Sequence, residues 1–245
     1  TYAAGAGSRF EPVTPTRLID SRSNAAPLAE GSVLRVKVAG KAGAPVSATA
    51  VSLTVHAINA ARDGYVTAFP CGTTMPGVAS VAVNVGGSVT NHVETAISGG
   101  DVCVFVSASM QVIVDMSGWY GPTATTEYYA ITPVRAVDTR SNVGLTGGFV
   151  AKVDRPVQLA GTNGLPPAAR LRAVVAQVIA VGAASPGYLT VHPCLATAPG
   201  VSMVRYTVGS NAATSVAGPD DASGRWCVTA SSNVHMVVDL SGYFA

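Results

Sequence analysis

Arg17, Asp20, Arg22 and Asp115 are the residues whose types and spacing first suggest chemistry, and Arg135, Asp138, Arg140 and Asp239 repeat them in order. Only 11 % of this 245-residue chain is charged, so returning charges stand out. Two carboxylates flanking a sugar bond are the machinery of glycoside hydrolysis, one acting as proton donor. Asp20 with Asp115 is the candidate pair. Each has an arginine partner at hand, and a carboxylate pinned by a guanidinium stays ionised and donates protons poorly. The competing reading is an internal latch of ion pairs, in which the planar arginine fork meets a carboxylate with two parallel hydrogen bonds. Asp115 lies on an otherwise apolar alternating stretch, opposite in parity to Val112 and Val114. We take all eight residues as structural ion pairs and expect no catalytic residue and no enzyme.

The other reactive side chains point the same way. Four cysteines fall two per half, Cys71 with Cys103 and Cys194 with Cys227, at separations that differ by one residue. That pattern reads as two disulfides. A zinc site would want closely spaced cysteines and a histidine at ligand distance, and neither is present. The histidines, His56, His92, His192 and His235, have no counterparts between the halves, which argues against a repeated metal or catalytic site. No nucleophile elbow, phosphate loop or zinc-protease motif occurs. Asp220-Asp221 after Gly218-Pro219 has calcium-ligand chemistry and equally the make-up of an acidic surface turn, the reading we favour. No metal and no cofactor is expected. Tyr65, Trp119, Tyr120, Tyr188, Tyr243 and Phe244 are candidates for stacking against sugar rings, or else for packing at a domain end.

These residues are carried by a chain written twice. Thr14-Pro15-Thr16-Arg17 returns as Thr132-Pro133-Val134-Arg135, Gly64-Tyr65 as Gly187-Tyr188, Pro70-Cys71 as Pro193-Cys194, and Val114-Asp115-Met116-Ser117-Gly118 as Val238-Asp239-Leu240-Ser241-Gly242. Landmarks in constant order mean two copies of one domain: a tail over residues 1–9, a first copy over 10–120, a linker over 121–127 and a second copy over 128–245. Period-two alternation dominates, as in Leu34, Val36, Val38 and in Val51, Leu53, Val55, and predicts about eight strands per copy. Leu165–Ala176 is the nearest approach to a helix, and it allows at most one turn before a strand. The pattern predicts an all-β chain of two tandem β-sandwiches, jelly-roll-like.

Composition excludes several classes. The net charge is +2 with basic residues scattered, so no nucleic-acid surface is expected. The longest apolar run, Ala173–Ala184, is interrupted by Gln177 and Gly182 and is too short to span a bilayer, so no membrane insertion is expected. Disulfides belong to oxidising compartments, and the sequence carries no readable signal peptide or anchor, so a secreted or cell-surface product is inferred from its cysteines.

The Thr-Pro-x-Arg-x-x-Asp opening, the Gly-Tyr-x-Thr-x-x-Pro-Cys middle, Asp101-Val102-Cys103-Val104 and the Val-Asp-x-Ser-Gly ending resemble a tandem repeat module of secreted and surface proteins from high-GC Gram-positive (actinobacterial) bacteria. The resemblance implies an all-β, non-catalytic extracellular module, often appended to hydrolases or peptidases. The second copy departs by replacing Asn91-His92-Val93 with Thr214-Ser215-Val216.

A weakly charged surface permits self-association, and sandwich edges can template another strand. The expected function is therefore a structural surface protein whose partners are copies of itself, in a filament, sheath or layer, with the tail Thr1–Arg9 contacting the other domain or a neighbouring subunit. The alternative is a carbohydrate-binding module for cell-wall or extracellular polysaccharide.

Overall fold

The computed structural model describes residues 7–24, 26–194 and 197–245. β-branched residues at alternate positions give it sixteen strands and no α-helix among the described residues. The first copy holds β1 (Arg9–Asp20), β2 (Val33–Lys37), β3 (Ala50–Ile58), β4 (Gly64–Pro70), β5 (Val81–Val83), β6 (Ser88–Ala96), β7 (Asp101–Val106) and β8 (Gln111–Gly121). The second holds β9 (Tyr128–Asp138), β10 (Arg155–Gln158), β11 (Ala173–Val181), β12 (Gly187–Pro193), β13 (Val204–Tyr206), β14 (Ala212–Pro219), β15 (Arg225–Ala230) and β16 (His235–Phe244).

Each copy folds into two antiparallel four-stranded sheets. Their orders are β1-β8-β3-β6 over β2-β7-β4-β5, then β9-β16-β11-β14 over β10-β15-β12-β13. The second pair has the same topology as the first, and this is the two-sheet jelly roll. Val51, Leu53 and Val55 of β3 and Val112, Val114 and Met116 of β8 face Val66, Val102, Val104 and Val106 of the opposite sheet. Val174, Val178, Met236, Val238 and Leu240 face Leu189, Val191, Trp226 and Val228 in the second core. Each such side chain contributes about 1.5–3 kcal/mol through burial. One disulfide closes in each copy, Cys71–Cys103 and Cys194–Cys227, with Cα atoms 4.9 and 4.8 Å apart.

Three local expectations change. β1 begins at Arg9, the last residue of the expected tail, and register shifts between Pro12 and Thr16 and between Arg17 and Ile19 carry this long strand along β8. It also stops at Asp20, whose carboxylate accepts the Arg22 N–H and caps a single 3₁₀ turn, Ser21–Ser23. The stretch from Leu165 forms turns and no helix, and β11 starts at Ala173. The linker by composition is paired into both sandwiches: Phe10 and Thr126 exchange backbone hydrogen bonds, as do Glu127 and Ala245.

The two sandwiches meet edge on face. β13 and β14 are edge strands of the second copy. Both lie against β6, and β14 also lies against β1 and β8. They cover the outer face of the first copy's sheet, so Ser52, Thr54, His56, Asp115 and Ser117 are buried although they point away from their own core. Thr214 Oγ1 donates to the Thr90 carbonyl across this seam at 3.4 Å. At one end the Phe10 ring lies 4.8 Å from Tyr120 and 4.4 Å from Phe244, which in turn lies 5.4 Å from Tyr128. Gly118 is required there, since a Cβ would overlap the Phe10 ring.

Candidate functional site

The recurring charges assemble in both copies. In the first, Arg17 reaches Asp115 with Nε to Oδ1 at 2.9 Å and Nη2 to Oδ2 at 3.3 Å, and its Nη1 reaches Asp20 at 3.2 Å. Arg22 forks onto Asp20 at 2.9 and 2.6 Å. In the second, Arg135 forks onto Asp239 at 2.8 and 2.9 Å, and Arg140 onto Asp138 at 2.9 and 2.7 Å. The hydrogen bonds from Arg22 hold the Asp20 carboxyl down at about 2, and those from Arg140 do the same for Asp138. Groups ionised so far below neutrality make poor general acids.

The first latch has a further member that sequence reasoning left alone. His56 on β3 sits beside Asp115, Nε2 to Oδ2 at 3.3 Å, and its Nδ1 meets Thr90 Oγ1 at 2.8 Å. The ring is fully buried beneath the second sandwich. Burial pushes its pKa down, so the imidazole is neutral at neutral pH. Ile179 holds the matching place on β11: His56 pairs with Ile113 and Ile179 with Val237, the residues just before Val114 and Val238. Strict repeat logic therefore passes over His56.

The remaining histidines are scattered. His92 Nε2 meets Glu94 at 2.8 Å, buried His192 meets Asp154 at 3.3 Å, and His235 meets Thr139 at 3.0 Å. Among the described residues no three His, Cys, Asp or Glu side chains gather as metal ligands. In the acidic turn, Asp221 accepts from the Ser223 and Arg225 N–H groups and from the Arg225 guanidinium, so its oxygens are already engaged.

The six aromatic candidates do not share a platform. Trp119 is buried in the first core. Strict alternation from Met116 would point it outward, but β3 pairs Leu53 with Met116 and Ser52 with Gly118, so a bulge at Ser117 turns Trp119 in. Phe244 is buried in the seam. Tyr243 packs on the second core and stacks on Tyr129 at 5.2 Å. Tyr65 and Tyr188 are partly exposed on β4 and β12, away from the aromatic end of the seam. Tyr120 alone of the six lies half-exposed on a cavity wall.

That cavity is an open cleft of about 1160 Å³ between the sandwiches, walled by Tyr120, Tyr128 and Phe244 with Thr49, His92, Glu94 and the Arg9–Glu127 ion pair at its polar edge. Burial pushes the Tyr120 phenol up, helped by neighbouring Glu94, so it serves as a neutral hydrogen-bonding group. Aromatic faces beside fixed polar groups suit a polar organic ligand. Ser8 and Arg9 reach this cleft; the rest of the expected tail contact, over residues 1–6, lies outside the described residues.

No protein-family model matches the chain, and no curated protein matches it. One similar solved structure is the N-terminal CBM22-1-CBM22-2 tandem domain from Paenibacillus barcinonensis Xyn10C, at 11 % identity, covering 98 % of this chain and 100 % of that one, with a TM-score of 0.23. A likeness of that size decides neither fold nor ligand.

Proposed function

We propose that this chain is a non-catalytic, extracellular module, as its resemblance to actinobacterial surface repeats implies, and that it is a structural protein which assembles with copies of itself. One observation carries the proposal: the same sheet face is covered in the first copy and open in the second, and the open one is the less polar. Thr54, His56 and Thr90 are buried in the first copy. Their counterparts by register, Gln177, Ile179 and Ala213, are half-exposed or exposed. The Asp115 side chain is 3 % exposed where Asp239 is 32 % exposed. An antiparallel sheet that faces water turns polar residues outward. Here an isoleucine and an alanine face out where the covered copy has a histidine and a threonine, the reverse of what a lone molecule needs. A second chain laid on this face, as the second sandwich lies on the first, removes the mismatch, and edge-on-face contacts propagate into open assemblies. The closed disulfides suit an oxidising exterior.

Analytical ultracentrifugation over a wide concentration range, with electron microscopy of the product, tests this. Wild type is expected to grow with concentration, and Ile179→Glu to stay folded and monomeric. A wild type that remains monomeric throughout defeats the proposal. The second reading, glycan binding, draws on the cleft beside Tyr120 and Tyr128; binding on a glycan array that is lost in Tyr128→Ala would then favour it.

A further inference from the structure

The seam holds one charge that the repeat does not supply. Arg205 on β13 pairs with Tyr188, and the same place on β5, opposite Tyr65, is Ala82. The Arg205 guanidinium lies over the Tyr188 ring, 6.0 Å from its centre, at the outer reach of a cation–π contact. The side chain is half-buried, and its Nε is shut off from solvent without a hydrogen-bond partner among the described residues. No carboxylate among the described residues pairs with it.

Its surroundings hold more cations than carboxylates. Burial first, and then repulsion from Arg22 and Arg17 of the first sandwich, lower its pKa and outweigh the attraction of Tyr188 and Asp115. Both of these arginines are already committed: Arg22 to Asp20, and Arg17 to Asp20 and Asp115. Asp115 in turn accepts from Arg17 and from His56. Three guanidinium groups thus stand against two carboxylates. The surplus positive charge rests on Arg205, where a partly buried cation without a counter-ion is unfavourable.

We propose that the seam binds an oxyanion, a sulfate, phosphate or sugar carboxylate, between Arg205 of the second sandwich and Arg22 of the first, so that the anion ties the two sandwiches together. Planar guanidinium forks match such oxygens in pairs. Arg205 supplies the unspent donors, Tyr188 lies beneath it, and Arg22 adds charge from across the seam. A ligand that binds only the closed seam stabilises it by mass action.

The test is calorimetric titration and thermal unfolding of the full chain in sodium sulfate, sodium phosphate or digalacturonate, each against sodium chloride at matched ionic strength. At least one anion is expected to bind and to raise the unfolding temperature above the chloride control, and the arm with the greatest shift identifies the class. Arg205→Ala, which installs the residue of the other copy, should weaken binding at least tenfold, and Arg205→Lys, which keeps charge without the fork, should fall between. A wild type that responds only as to chloride overturns the proposal, as does an Arg205→Ala protein that keeps the full response. Should Arg205→Ala fail to fold, the Arg205→Lys titration decides: undiminished affinity there also overturns it.

Discussion

Replacing Asp220 by Asn should make this protein more stable at neutral pH and leave it unchanged in acid. Asp220 comes directly after Pro219 at the end of β14, and its half-buried carboxyl has one oxygen, Oδ1, with no partner among the described residues. Its neighbour Asp221 takes the donors of the turn. Burial therefore pushes Asp220 up from the ordinary 3.8 to about 6, with its own backbone N–H and then Arg172 pulling the other way. A carboxyl whose folded value lies above its unfolded one lends full stability below the unfolded value, near 3.8, and loses it as pH rises through about 6. The gap corresponds to at most ~3 kcal/mol. Because the group is only half-buried, water screens it, and about 1–2 kcal/mol is the expected net effect. Asn keeps the shape and never ionises. Urea denaturation should show Asp220→Asn more stable by ~1–2 kcal/mol at about pH 7.5 and equal to wild type at about pH 4. A gain of the same size at both pH values, or a loss at pH 7.5, would refute the reasoning.

Phe10 is wholly buried between Tyr120 and Phe244, so Phe10→Ala should cost about 3–5 kcal/mol. The loss falls on the seam, and calorimetry should resolve two unfolding transitions in the variant; an unchanged single transition would show that the aromatic cluster does not couple the sandwiches. His56, held neutral by burial, titrates below the ordinary 6.5, so the fold keeps this contribution above that value and loses it as pH falls below. His56→Gln should flatten the acid side of the stability profile, and a profile identical to wild type between about pH 6.5 and pH 5 would count against a buried neutral imidazole.

Both sandwiches were legible because what returns between the copies is scaffold: the cysteines, the Gly-Tyr pairs, and an Arg–Asp latch whose geometry is local to one sheet. Alternation then placed the strands, since Val51, Leu53 and Val55 have one inward parity whatever lies outside. Alternation is blind to a second cover. Ser52, Thr54 and His56 satisfy the pattern of a water-facing side, yet they are buried, because an edge from over 120 residues further on lies across them. It is equally blind to a bulge: one extra residue at Ser117 turned Trp119 from an outward platform into core. The usable signal there was Gly118, required beneath Phe10.

The departures between the copies are the more informative about use. His56 against Ile179, Thr90 against Ala213, and Ala82 against Arg205 are all changes away from the two cores. Their places in the fold coincide with the seam or with its uncovered counterpart. The cores differ as well, with Val102 against Trp226, Leu53 against Ala176 and Val112 against Met236, but those exchanges stay apolar and each core remains filled. A change of polarity at the joining faces is expected when one copy is fitted to be covered and the other to stay open. A polar face under a permanent lid can carry His56 and Asp115, because the lid excludes water while Thr90 and Arg17 satisfy them. An open face fitted to a lid from another molecule is covered anew at each encounter; Ile179 and Ala213 gain from that cover without the desolvation cost that a histidine or threonine would carry, while the Arg135–Asp239 pair on the same face enters it already hydrogen-bonded.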